Sequence, residues 1–63
     1  MIYIDVVDKL LNTAKEYVNL SDAYKEKGIL YEAMLNNKIA KILVDIAEEI
    51  NEELRSKIDN MYN

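Results

Sequence analysis

An antiparallel pair of α-helices is the fold that this sequence predicts, and three observations carry the prediction. Apolar residues recur at alternating three- and four-residue spacing along nearly the whole chain, the period of a helix with one buried face. There is no proline and a single glycine, Gly28, so only one position strongly interrupts a helix. No pair of strand-like segments competes with this all-α reading. At 63 residues the chain is one small domain.

The first helix is expected over about residues 3–27. Its seam is Tyr3, Val7, Leu10, Ala14, Tyr17, Ser21 and Tyr24, with Ile4, Leu11 and Val18 widening it. The β-branched start, Ile2 to Val7, also reads as a short strand, but no second such segment exists to pair with it. Ser21-Asp22 resembles a helix N-cap, but a small residue on the seam also lets another helix approach closely, so a continuous helix, with or without a kink here, is preferred to a break. Glu26-Lys27-Gly28 then supplies a basic residue in the last turn and a glycine just past it, a helix stop.

The second helix is expected over about residues 29–61, with the turn at 28. Leu30, Ala33, Asn37, Ala40, Val44, Ala47, Asn51, Leu54, Ile58 and Met61 keep the four-three spacing. So short a connection makes the two helices antiparallel neighbours. This helix carries a second apolar stripe, Leu35, Ile39, Ile42, Leu43, Ile46 and Ile50, which one partner helix cannot also cover. The simplest closure is a homodimer that forms a four-helix bundle, with those six residues as the self-association face. Asn37 and Asn51 on the seam either fix register or mark where the seam faces solvent. Met34 and Met61 are read as core gap-fillers, and Tyr31 and Tyr62 as exposed.

Composition narrows the chemistry. Histidine and cysteine are absent, which removes the commonest catalytic base, the commonest metal ligand, disulfides and thiolate metal sites. Ser21 and Ser56 have no histidine to activate them, and no glycine-rich phosphate loop is present. The sequence therefore argues against an enzyme and calls for no cofactor. Asp45, Glu48, Glu49, Glu52 and Glu53 form the densest acidic cluster. Without histidine it lacks the donor set of carboxylate-bridged metal bundles, so it reads as a solvated face, with an acidic docking face for a basic partner as the functional alternative. Twelve acids against eight bases give a net charge of −4, which argues against phosphate-backbone binding. The exception is a modest basic group near the turn, Lys25, Lys27, Lys38 and Lys41. The longest apolar run, Ile42-Leu43-Val44, is too short to span a membrane, and the default compartment is the cytoplasm.

Residues 14–47 resemble one tetratricopeptide repeat. Tyr17, Leu20, Ser21 and Tyr24 match the spacing of that family's first helix, Gly28 falls at its turn, and Ala33 and Ala40 take its small positions. Tyr17 stands where the family has tryptophan, Ser21 where it has glycine, Asn37 where it has an aromatic and Asp45 where it has proline. The outline is also similar to microtubule-interacting-and-transport domains, although the chain is too short for their third helix. The resemblance implies a close-packed hairpin used for protein contacts, and a single repeat that needs something to cover it. The expected role is thus a small acidic interaction module, an adaptor or a small inhibitor, that binds another protein stoichiometrically and also itself. A dimeric helical nucleic-acid regulator is the alternative.

Overall fold

The computed structural model describes the backbone of residues 2–62 and the side chains of residues 4–60. Two helices, α1 (Ile2–Glu26) and α2 (Leu30–Tyr62), pack against each other as an antiparallel hairpin, with no strand among the described residues. α1 is continuous through Ser21, so the Ser-Asp pair is neither a cap nor a break. Its helical assignment also covers the β-branched residues from Ile2 onward. The readings of the Tyr3, Met61 and Tyr62 side chains lie outside the described residues.

The turn is built by Gly28. Its φ of +76° lies in the left-handed region, where a side chain costs about 1–2 kcal/mol. That conformation lets the Gly28 N–H reach the Lys25 carbonyl at 3.0 Å and the Ile29 N–H reach the Tyr24 carbonyl at 2.9 Å. Two carbonyls at the end of α1 are thereby satisfied, the hydrogen-bond pattern of a Schellman stop. The chain then enters α2 at once, the Ile29 carbonyl accepting from the Ala33 N–H at 3.2 Å. A Cβ built on Gly28 meets nothing within 4 Å. The cost of Gly28→Ala is therefore backbone strain alone, and urea unfolding should show a loss of about 1 kcal/mol, with less for Gly28→Asn.

Six residues form the buried row between the helices: Val7, Ala14 and Ser21 on α1, and Ala33, Ala40 and Ala47 on α2. All but Val7 are small, and each row repeats every seven residues. The Ser21 hydroxyl donates to the Ala33 carbonyl at 2.7 Å, which fixes the register. Stepping seven residues in opposite directions places Ala14 level with Ala40 and Val7 level with Ala47. A side-chain oxygen can bond backbone across the interface only if the helices lie close, near the lower end of the usual separation of about 8–10 Å. Removing this buried hydroxyl in Ser21→Ala should cost about 1 kcal/mol in the same unfolding experiment.

The close approach has a structural price. Small side chains fill little volume, and among the described residues no large side chain is fully buried. The hairpin is a plate one helix thick, 53 × 16 × 10 Å. The helices also differ in length. By the Ser21–Ala33 register, Ile2 stands level with Glu52, so about ten residues of α2 project past the start of α1, a length of about 15 Å.

Candidate interaction face

Beside the buried row, both helices lean to the same side. Three of the half-buried residues on α1, Leu10, Tyr17 and Tyr24, each lie three positions after a row member, and the fourth, Thr13, directly precedes Ala14 on the same side. On α2 the corresponding positions are Asn36, Leu43 and Ile50, also half-buried. The four-step positions that the sequence pattern favoured fare differently: Val44 is half-buried, but Leu30, Asn37, Asn51 and Ile58 are exposed. Asn37 and Asn51 thus face solvent and do not set the register within the hairpin. Met34, directly after Ala33, points about 100° away from the row and is 60% exposed rather than filling the core.

In an antiparallel pair the three-step positions of both helices fall on one face of the plate. Accordingly Val6, Leu10 and Thr13 of α1 and Leu43 of α2, with Lys9, line one shallow, mostly apolar depression. Farther out on this face, α2 adds Leu35, Ile39, Ile42 and Ile46, all exposed, Ile42 at 54%. On α1, Val6 and Leu20 are exposed there as well. Leu43 and Ile50 therefore serve two surfaces, half covered by α1 and half continuous with this outer stripe.

Two polar side chains in the face bond carbonyls of their own helices. The Thr13 hydroxyl donates to the Lys9 carbonyl at 2.8 Å, and the Asn36 amide to the Glu32 carbonyl at 2.7 Å. Covering the face would leave both of these hydrogen bonds in place. The opposite face is more broken, with Ile4, Leu11 and Val18 exposed on α1, and with α2 contributing Leu30, Val44 and Ile58 among Asn37, Lys41, Glu48, Asn51 and Arg55.

The five acidic residues of α2 are all exposed, but they wrap around the helix. Asp45, Glu48 and Glu52 point away from the apolar face, and Glu48 and Glu52 line a shallow polar site with Asn51 and Arg55. Glu49 and Glu53 instead border the apolar stripe. Among the described residues no three carboxylates converge on a point that could hold a metal ion. No described helix is long and apolar enough to cross a membrane. Neither protein-family models, nor curated proteins, nor solved structures give a match to this chain.

Proposed function

We propose that this chain is a small protein-interaction module whose working unit is a homodimer, a four-helix bundle closed across the apolar face. The observation that supports it most is the exposed stripe Leu35, Ile39, Ile42 and Ile46 on a hairpin that, among its described residues, fully buries no large side chain. Each of these residues is worth roughly 1.5–3 kcal/mol when fully buried, on the scale of the roughly 3–5 kcal/mol that a core this small supplies. The role is binding by occupancy rather than catalysis. Asp45, Glu48 and Glu52 stay outside the bundle as the docking surface for a basic partner. A partner held there would be released by Glu48→Lys with Glu52→Lys while the dimer persists.

Sedimentation equilibrium tests the reading. The expected mass is twice the 7.3 kDa of one chain. A mass that stays at the monomer value up to a concentration on the order of 100 µM would contradict self-association.

A further inference from the structure

We infer that the two hairpins of the dimer lie with their turns at opposite ends, so that α2 of each chain runs antiparallel along α2 of its partner. The inference rests on the self-association proposed above. Face-to-face pairing about a two-fold axis allows two arrangements. If the axis runs along the helices, the turns share an end and each α1 covers the partner's α2. If it runs across them, the turns are opposed, and each helix covers its own counterpart.

Charge separates the two. The half of the hairpin holding the turn, residues 14–40, carries four acids and four bases and is neutral. The open half, residues 1–13 and 41–63, carries eight acids and four bases, a net −4. The Ser21–Ala33 register sets this division, because residue 14 stands level with residue 40 and residue 13 with residue 41. Turns at one end would stack −4 on −4. Opposed turns set −4 against a neutral half, a difference felt between layers about 8–10 Å apart, on the order of the Debye length of about 8 Å at physiological salt.

Length points the same way. Leu54 continues the buried row of Ala33, Ala40 and Ala47, yet it is only half-buried because α1 has ended at that level. Ile58, a turn later, is 42% exposed. With turns opposed, the space beyond the start of α1 lies over the end of the partner's α1, where the half-buried Tyr24 presents apolar surface. With turns together, both projecting ends stand side by side with no first helix beneath either.

Symmetry supplies the third argument. The apolar stripe of α2 is centred between Ile42 and Leu43, with Ile39 and Ile46, then Leu35 and Ile50, equally spaced to either side. By the same register the level of this midpoint on α1 is between Leu11 and Asn12, with Leu10 and Thr13, then Val6 and Tyr17, equally spaced around it. A single crossing axis needs both helices to be self-complementary at one level, and they are. It brings Ile39 onto the partner's Ile46 and Val6 onto the partner's Tyr17. It also sets Glu32 opposite the partner's Glu53, the one like-charge pair it creates on α2.

The chain has no cysteine, so Lys27→Cys gives a single labelling site at the exposed turn. Spin labels there should lie about 45 Å apart in the dimer if the turns are opposed, and under about 20 Å apart if they share an end. A short distance in a protein of dimeric mass would overturn the orientation and leave self-association standing. No intermolecular coupling together with a monomeric mass would overturn both. As a second readout, Glu53→Lys should tighten the dimer about tenfold by replacing a repulsive pair with an attractive one on each side. Unchanged or weaker association would contradict the opposed arrangement.

Discussion

Replacing Ala40 by leucine should leave the chain largely unfolded at concentrations where the parent protein is fully helical. Ala40 is 3% exposed and sits in the middle of the buried row, level with Ala14. The row is narrow because the Ser21 hydroxyl reaches the Ala33 carbonyl at 2.7 Å, so an isobutyl group has nowhere to go except between the helices. Forcing them apart breaks that hydrogen bond and opens the flanking contacts of Leu10, Tyr17 and Leu43. Overpacking of this kind costs about 1–3 kcal/mol, and occasionally more, against a stability of only about 3–5 kcal/mol for a domain this small. Ala23→Leu on the exposed side of α1 is the control, expected within about 0.5 kcal/mol of the parent. Urea titrations followed by circular dichroism would show both. Equal stability of the two variants would mean that the small residues do not set the interhelix distance.

Ile46→Asp should dissociate the dimer, raising its dissociation constant by roughly a hundredfold to ten-thousandfold. Ile46 is 40% exposed in the hairpin, and in the proposed bundle the partner covers that exposed part. Two copies change at once about the two-fold axis, so the lost burial counts twice, and each carboxylate is driven toward an apolar interface. Leu11→Asp provides the comparison, since Leu11 is 42% exposed on the opposite face of the plate. It should leave association within a few-fold of the parent. If both variants dissociated the protein equally, the interface would not be confined to the face of Ile39, Ile42 and Ile46.

How much of this was legible in the sequence differs between the helices. On α1 every described member of the expected seam, from Val7 to Tyr24, is buried or half-buried, whereas Ile4, Leu11 and Val18, read as widening it, are exposed. Gly28 as the turn was equally plain, since one residue type satisfies a positive φ without strain. On α2 the buried alanines were identifiable, but the residues flanking them were not. Both the three-step set of Leu43 and Ile50 and the four-step set of Val44 and Ile58 are apolar. The side toward which α1 leans decides between them, and that is a property of the pair rather than of either helix. Ser21 shows the same limit: its small size was readable, while its hydrogen-bond partner twelve residues away depends on the register of the finished hairpin. The acidic cluster of α2 was visible as a run, yet helical geometry divides it between an outward side and the border of the apolar stripe.

The central claim is that the hairpin is completed by a second copy of itself, so that folding and association are one event. The most direct test is the thermal midpoint of helicity measured as a function of protein concentration. A folding-coupled dimer of this size should gain roughly 10 °C for each hundredfold rise in concentration. A midpoint independent of concentration, over a range where the protein is fully helical, would mean that the hairpin is stable alone and that its apolar face is not closed by self-association.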